Sequence, residues 1–274
     1  MKTILLFLIL IQSSLSSISQ TGTLTIAFIS SDDGIYIVAD SRTSYLIDES
    51  DFSSVYASYD SNRKIYNLKQ FVLATSGRGS IGGYNFNEIV EQFNATGFTD
   101  TSLIVTFRTF ISYLKLRFPP SAYPDWWREN AFIGGGFVNS RPHIVGIGKG
   151  LEFWDIDQGA VMNDPRVEKY LIKYLSKHIP LIQALDSLYT EFEIEENESL
   201  IGGPISIYKI TTGNIIKCIY NDFSNRSLTN NQLHDAIMNE TIKINYFIPF
   251  GKEVLLGLRA KPNKEVLKNI QQKK

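Results

Sequence analysis

Two apolar segments near the start of the chain decide its fold: TLTIAFIS at residues 23–30 and GIYIVADS at residues 34–41. Both are rich in β-branched residues, and the residues between them, Ser31-Asp32-Asp33, are of types that favour turns. The pattern predicts a pair of antiparallel strands. Gly22 and Thr23 stand at the entry to the first strand. The bond between them is either an ordinary part of the chain or a bond that the protein cleaves in itself.

The residues upstream of the first strand have the composition of a secretory signal peptide. Met1 and Lys2 give a positively charged start, ILLFLILI at residues 4–11 forms an apolar core, and a polar segment with small residues follows. The apolar core is too short to span a bilayer. We therefore predict a signal peptide at residues 1–19 and a short propeptide remnant at residues 20–22. The mature protein is expected to be secreted or held in the secretory-pathway lumen, an endomembrane or vacuolar compartment included, and not bound to a membrane.

Length, charge and cysteine content fit one domain at residues 23–274. This segment has about 250 residues, which is enough for a single large core. The net charge of −1 gives no electrostatic basis for binding nucleic acid or an anionic membrane. Cys218 is the only cysteine, so the chain cannot form an internal disulfide. Four N-x-Ser/Thr sequons fit a secreted glycoprotein: Asn94, Asn197, Asn225 and Asn239.

Further along the chain, strand-like and helix-like segments alternate in groups. After a polar stretch at residues 43–62, strands are predicted at residues 64–68, 71–77, 131–138, 142–148, 151–156, 204–210, 215–221 and 246–256. Helical spacing of apolar residues predicts helices at residues 84–93, 102–116, 167–174, 181–192 and 231–239. This order predicts an α+β fold in which two antiparallel sheets stack face to face with helices outside them.

Four segments in this order carry a resemblance to a known family. They are GTLTIAF at residues 22–28, GIYIVADSR at residues 34–42, NRKIYNL at residues 62–68 and FVLATSGRG at residues 71–79. Together they resemble the start of a proteasome β-subunit, in the threonine-peptidase branch of the N-terminal nucleophile (Ntn) hydrolases. AFIGGGF, PHIVGIG and GGPISIYKI are similar to later strands of that family. The resemblance implies a four-layer αββα sandwich.

The resemblance also implies a set of site residues. Gly22 and Thr23 match the self-cleavage site, with Thr23 as the nucleophile, and Asp40 and Lys64 match the catalytic aspartate and lysine. A hydroxyl is a weak nucleophile, and the free amine of a terminal threonine can take its proton. An ammonium near the hydroxyl favours its ionised form, and a buried carboxylate holds that ammonium, so Lys64 is expected to contact both Thr23 and Asp40. The resemblance assigns the oxyanion hole to a backbone N–H at Gly77 or Gly79.

The chain departs from the family at the residues that support the terminal amine. The family has a serine near a late glycine pair and an aspartate three residues before that serine. Here the pair is Gly202-Gly203, preceded by Ile201, and Glu198 occupies the aspartate-like position. Glu198, Gly202 and Gly203 are therefore the candidate supporting residues, and the family's other supporting serine has no clear counterpart.

Other conspicuous residues have ordinary structural interpretations, so no cofactor and no metal are expected. The three histidines, His143, His178 and His234, have no metal-ligand spacing. The glycine run at residues 133–136 is not a phosphate-binding loop. Trp126 and Trp127 are expected to anchor packing.

Two function classes follow from these residues. The first is a threonine-type amidohydrolase or peptidase that acts on a peptide or amide substrate through Thr23. The second is a non-catalytic member of the same fold, kept for assembly or binding. Retention of Thr23, Asp40 and Lys64 together favours the first class. The sequence leaves open the substrate and whether the chain forms a homo-oligomer.

Overall fold

The structure, a computed structural model, describes most of the chain between Thr23 and Tyr246. The described residues are 23–30, 34–46, 55–60, 62–100, 102–148, 153–156, 160–162, 167, 170, 173, 179–195, 202–222, 232, 235–236 and 238–246. The predicted signal peptide, the propeptide remnant with Gly22, and the candidate residue Glu198 lie outside the described residues. Within them, the predicted α+β class with antiparallel sheets is confirmed.

The elements are numbered here in chain order. The strands are β1 (Thr25–Ile29), β2 (Ile35–Ala39), β3 (Thr43–Leu46), β4 (Val55–Tyr59), β5 (Ile65–Leu68), β6 (Phe71–Ser76), β7 (Ser80–Ile81), β8 (Tyr84–Asn85), β9 (Ala131–Val138), β10 (Arg141–Ile147), β11 (Phe153–Ile156), β12 (Ala160–Met162), β13 (Ser206–Thr211), β14 (Ile215–Tyr220) and β15 (Ile244–Tyr246). The helices are α1 (Phe86–Asn94), α2 (Leu103–Arg117), α3 (Pro124–Glu129) and α4 (Leu181–Glu195).

Two five-stranded antiparallel sheets make up the centre of the described structure. We name them sheet A, with the order β12-β1-β2-β13-β14, and sheet C, with the order β11-β10-β9-β6-β5. A smaller sheet, sheet B, has the order β15-β4-β3, and β7 pairs with β8. The predicted first hairpin is present, because Ala27 in β1 pairs with Ile37 in β2.

Local sequence explains several element boundaries. Asn85 and Glu88 form a capping box at the start of α1, since each side chain accepts a hydrogen bond from the other residue's backbone N–H. Ser102 caps α2, and Pro124 occupies the first turn of α3. The turn between β9 and β10 consists of Asn139 and Ser140, both with positive φ, which suits a tight hairpin.

Three clusters of buried side chains form the core. One combines sheet C residues with α1, α2 and α3, and includes Phe71, Phe107 and Trp126. A second combines sheet A residues with α4 and with buried Val167 and Tyr170. The third contains residues of both sheets: Ala27, Ile35, Ile37, Ala39, Ile65, Val72, Ala74, Ile133, Phe137, Ile144, Tyr208 and Ile210. Side chains of the two large sheets therefore pack directly against each other.

The structure differs from the sequence predictions in several places, among them the strands β7, β8 and β12, which were not predicted. The polar stretch at residues 43–62, for which no strand was predicted, contains β3 and β4. The short helix α3 was not predicted. The first strand begins at Thr25, after Thr23 and Leu24, and it is the second strand of sheet A, with a partner on each side.

Candidate active site

A buried carboxylate lies at the end of β2. Every residue of β2 is buried, and Asp40, the next residue, is only 1% exposed. Its Oδ1 accepts a hydrogen bond from the backbone N–H of Leu24 at 2.9 Å. Its Oδ2 accepts from the backbone N–H of Gly202 and of Arg42, each at 3.2 Å. Asp40 therefore ties Leu24 and Gly202, which are 16 and 162 residues away in the chain, to the end of β2.

Lys64 supplies the countercharge to this carboxylate. Its Nζ lies 3.1 Å from Oδ1 and 3.1 Å from Oδ2 of Asp40, and the residue is buried directly before β5. The backbone of Lys64 is fixed as well, since its carbonyl accepts a hydrogen bond from the N–H of Thr75 at 3.1 Å. The structure thus brings together Asp40 and Lys64, which are 24 residues apart in the chain.

Burial opposes charge on both members of this pair. Burial raises the pKa of Asp40, and the Lys64 ammonium and the N–H donors of Gly202 and Leu24 act against that rise. Burial lowers the pKa of Lys64, and the Asp40 carboxylate acts against that change. Each charge of the pair is therefore supported by the other.

The peptide group between Thr23 and Leu24 connects Thr23 to this ion pair. Thr23 is 3% exposed, and its neighbour Leu24 donates its N–H to Asp40 Oδ1. The carbonyl of Leu24 accepts hydrogen bonds from the N–H of Asp40 at 3.2 Å and from the hydroxyl of Tyr189 at 2.9 Å. The Ser76 hydroxyl lies 3.5 Å from the Thr23 carbonyl oxygen, as a long hydrogen bond. The peptide group between Thr23 and Leu24 is therefore held between Ser76, at the end of β6, and Asp40.

The two candidate oxyanion-hole glycines have different surroundings. Gly77 directly follows Ser76 and has φ +117°, and a Cβ added there would lie 2.4 Å from Asn130 Oδ1 and 2.6 Å from the Glu129 carbonyl oxygen. Gly79 is exposed, and an added Cβ would meet no heavy atom within 4 Å. Only Gly77 is a position where glycine is required by both backbone conformation and space. Of the two candidates, Gly77 alone therefore has a turn conformation that depends on glycine.

The late glycine pair also reaches the site. Gly202 donates its N–H to Asp40, and its carbonyl accepts from the N–H of Ser41 at 3.3 Å and of Arg42 at 3.0 Å. Gly203 has φ +73°, and an added Cβ would lie 2.9 Å from the Ser41 hydroxyl oxygen. Of the three candidate supporting residues, the structure therefore places Gly202 in contact with Asp40 and Gly203 beside it.

Sequence reasoning missed four side chains around this centre: Arg42, Asp60, Tyr189 and Glu193. Tyr189 and Glu193 are four residues apart on α4, so they share one helix face. That spacing is a signal that a sequence can show. The pairing of Arg42 with Asp60 crosses 18 residues and has no spacing rule, so it appears only in the fold.

The residues given ordinary interpretations lie in structural surroundings. The Nδ1 of His143 lies 3.0 Å from Asp155 Oδ1, across two paired strands. Trp126 and Trp127 are buried and pack edge to face at 5.2 Å. Residues 133–136 belong to β9. His178 and His234 lie outside the described residues, and among those described no group of three His, Cys, Asp or Glu could hold a metal ion.

Comparisons with known proteins add no identification. No protein-family model matches the chain, and no curated protein matches it. In the part of the chain that the structure describes, no helix combines the length and the apolarity that crossing a membrane requires.

Proposed function

We propose that the chain has the four-layer αββα sandwich of the Ntn hydrolases, built as one domain at residues 23–274. Two features support the proposal. The strand orders of sheets A and C give two antiparallel sheets of equal strand number, and the cluster shared by both sheets lies between them. The other two clusters join each sheet to its own helices, which fits an outer helical layer on either side.

We propose that the protein is a threonine-type amidohydrolase with Thr23 as its nucleophile. The observation that carries the proposal is the position of Asp40. One buried carboxylate holds the Lys64 ammonium at 3.1 Å and also fixes the N–H of Leu24, the residue next to Thr23, at 2.9 Å. A solvated ion pair or an ordinary strand entry needs neither the burial nor the shared carboxylate.

The first reaction of this centre is its own activation. The Thr23 hydroxyl attacks the Gly22 carbonyl carbon, the peptide C–N bond breaks as the amine takes a proton, and the acyl group moves from nitrogen to oxygen. Water then hydrolyses the ester and releases the segment that ends at Gly22. The products are a carboxylate on Gly22 and a free amine on Thr23, so the atoms balance without a cofactor.

The mature centre then acts on a peptide or amide substrate. The Thr23 amine takes the hydroxyl proton as oxygen attacks the carbonyl carbon, and the Lys64 ammonium favours the ionised oxygen. The Gly77 N–H donates to the oxyanion, a contribution of about 2.7–4 kcal/mol in comparable sites. The leaving amine departs with a proton, and water hydrolyses the acyl ester to regenerate Thr23.

The apolar leader supports a secretory location for this activity. Residues 4–11 form the apolar core of the proposed signal peptide, and Ser16 or Ser19 offers the small residue that signal peptidase prefers. Self-cleavage at Gly22 would then remove the few residues that remain. We propose no nucleic-acid or membrane partner for the mature domain.

Intact mass and N-terminal sequencing of wild type, Thr23→Ala and Thr23→Ser test the proposal. Wild type should begin at Thr23. Thr23→Ala should fold and be secreted, but begin upstream of position 23 and lack amidase activity, whereas Thr23→Ser should still process because it keeps a hydroxyl. If the wild type keeps its upstream residues and Thr23→Ala changes neither the N-terminus nor the activity, the chain belongs to the non-catalytic class.

A further inference from the structure

A cluster of three charged side chains lies next to the Asp40 centre. Arg42 Nε and Nη2 donate to the two carboxylate oxygens of Asp60 at 2.7 and 3.0 Å. Nη2 of Arg42 also lies 2.8 Å from Glu193 Oε1. The Arg42 side chain is only 5% exposed, so the two carboxylates compensate the burial of its charge. We name these three residues the Arg42 cluster.

The side chains of the cluster pack against the Gly202–Gly203 turn. A Cβ added to Gly202 would be 2.4 Å from Arg42 Nη1 and 2.5 Å from Glu193 Oε1. A Cβ added to Gly203 would be 2.8 Å from Asp60 Cγ. The side chains of all three cluster residues thus lie against the turn, and a residue larger than glycine there would have to displace them.

The same turn is fixed to Asp40 through its backbone. The Gly202 N–H donates to Asp40 Oδ2, and the Gly202 carbonyl accepts from the N–H of Ser41 and Arg42. The peptide groups on both sides of Gly202 are therefore held against the residues that follow β2. A shift of the turn would remove one of the backbone donors that stabilise the Asp40 carboxylate.

We propose that Arg42, together with Asp60 and Glu193, is a positioning residue of the Thr23 centre: it presses the Gly202–Gly203 turn onto Asp40 and so sets the geometry of the Asp40–Lys64 pair. The inference rests on the proposed function. In the family that the sequence resembles, the region of this glycine pair carries a serine and an aspartate that support the terminal amine, whereas here a charged cluster lies against the pair.

The role requires the guanidinium group. Its planar fork binds both oxygens of Asp60 and, through the same nitrogen that binds Oδ2, a second carboxylate on another element. A lysine ammonium keeps the charge but is a single point, so it cannot bridge Asp60 and Glu193 in this way. Arg42→Lys therefore separates geometry from charge.

The experiment measures self-cleavage of the full-length chain, started by dilution from denaturant and followed by intact mass over a range of pH. Arg42→Lys should slow the release of the segment that ends at Gly22 by about tenfold or more, since a displacement of about 1 Å can cost a hundredfold in rate. Arg117→Lys is the matched control and should cleave at the wild-type rate. Arg117 contacts Gln92 and Tyr113, which belong to no part of the site.

The pH profile separates positioning from general stabilisation. The groups that face Asp40 are the Lys64 ammonium, the Tyr189 phenol, and the N–H donors of Leu24, Arg42 and Gly202. Because the Gly202 N–H lowers the pKa of Asp40, a displaced turn should move the acid limb of the Arg42→Lys profile to higher pH. A purely structural role would reduce the folded fraction but leave the profile of the folded fraction unchanged.

Glu193→Gln provides a second variant with its own control. Glu193 contacts Arg42, whereas Glu191, two residues earlier on α4, contacts Lys173 at 2.7 Å. Glu193→Gln should slow cleavage and Glu191→Gln should not. Wild type that never cleaves refutes the proposed function itself. The positioning role is overturned if the wild type cleaves and both Arg42→Lys and Glu193→Gln cleave at the wild-type rate with the wild-type pH profile. If Arg42→Lys does not fold, the comparison of Glu193→Gln with Glu191→Gln decides.

Discussion

Asp40 and Lys64 are each costly to bury alone and acceptable together. A carboxylate that is 1% exposed needs donors, and Asp40 has the Lys64 ammonium and three backbone N–H groups. Each residue of the pair is therefore tolerated in the core only while the other is present, because removing either partner leaves the other as an uncompensated buried charge. This condition makes the pair testable independently of any activity.

The first prediction concerns stability against pH. Lys64→Met should lose about 3–5 kcal/mol at neutral pH, since the buried Asp40 carboxylate loses its cation. The pKa of Asp40 then rises further above its ordinary 3.8. Between 3.8 and the raised value the folded variant binds a proton that the unfolded chain releases, so its free energy of unfolding falls as pH rises. Urea unfolding at several pH values should show the smallest loss at acid pH.

Asp40→Asn should behave in the opposite sense. The pKa of Lys64, no longer supported by a carboxylate, falls further below 10.5. Between the lowered value and 10.5 the unfolded chain binds more protons, so the free energy of unfolding rises with pH. The double variant should cost less than the sum of the two single variants, because it leaves no unpaired charge. Additive losses would mean that the two groups do not interact.

The second prediction separates the two oxyanion-hole candidates. Gly77→Ala should slow self-cleavage by about 10²–10³-fold, since the new Cβ meets the Glu129 carbonyl at 2.6 Å and the turn must shift. The free energy of unfolding of Gly79→Ala should lie within about 0.5 kcal/mol of that of wild type, because the added Cβ meets nothing within 4 Å. This variant should also cleave at the wild-type rate. If Gly79→Ala is stable but cleaves slowly, the oxyanion hole would have to be assigned to Gly79 instead of Gly77.

The resemblance of four sequence segments to the Ntn hydrolases implies the contact between Asp40 and Lys64, which the structure has at 3.1 Å. The same resemblance points to the turns at Gly77 and Gly202. The sequence did not predict the Arg42 cluster, since Asp60 follows β4 and Glu193 lies on α4, and only the fold brings both residues to Arg42. The roles of Thr23, Asp40 and Lys64 stay a prediction until the N-terminus is measured.

Helix α4 contacts the site through a single face. Tyr189 donates its hydroxyl to the carbonyl of Leu24, and Glu193, one turn later, binds Arg42. Burial, with a contribution from the Asp40 charge, raises the pKa of Tyr189 well above its usual value, so its hydroxyl stays a donor. One helix thus holds both the first strand and the Gly202–Gly203 turn.

The third prediction tests this element. Tyr189→Phe should lower the free energy of unfolding by about 0.5–1.5 kcal/mol, the usual contribution of one hydrogen bond, and should slow self-cleavage. The loss is moderate because the Leu24 carbonyl keeps the Asp40 N–H as a donor. Tyr208→Phe is the matched control, since it loses a bond to Asp222 of 3.3 Å. If both variants cleave at the wild-type rate, α4 only stabilises the fold.

Elements with strong periodicity were predictable, and short elements were not. The bounds of α1 and α2 differ from their predicted bounds by one or two residues at each end, because apolar spacing and caps coincide there. Helix α3 has six residues, which is too short for a period to emerge. The strands β3 and β4 lie in a polar stretch, and they form through pairing with each other and with the distant β15.

At the scale of the whole molecule, glycine sets how closely the two large sheets approach. Gly135 lies in β9 of sheet C, and a Cβ added there would be 3.0 Å from Ile37 Cδ1 and 3.1 Å from Ile210 Cδ1. Both isoleucines belong to sheet A and are fully buried. The side chains of one sheet therefore reach the backbone of the other.

The last prediction follows from this contact. Gly135→Ala should lower the free energy of unfolding by about 1–3 kcal/mol, since the added methyl overpacks a core that Ile37 and Ile210 already fill. Gly97→Ala, in open space, should change it by less than about 0.5 kcal/mol. The double variant Gly135→Ala/Ile210→Val removes one of the methyl groups that the new Cβ meets and should recover part of the loss. Urea unfolding of the three variants measures their free energies of unfolding. A Gly135→Ala as stable as Gly97→Ala would mean that the sheets are not packed as the structure has them, and the sandwich on which the Thr23 centre depends would have to be abandoned.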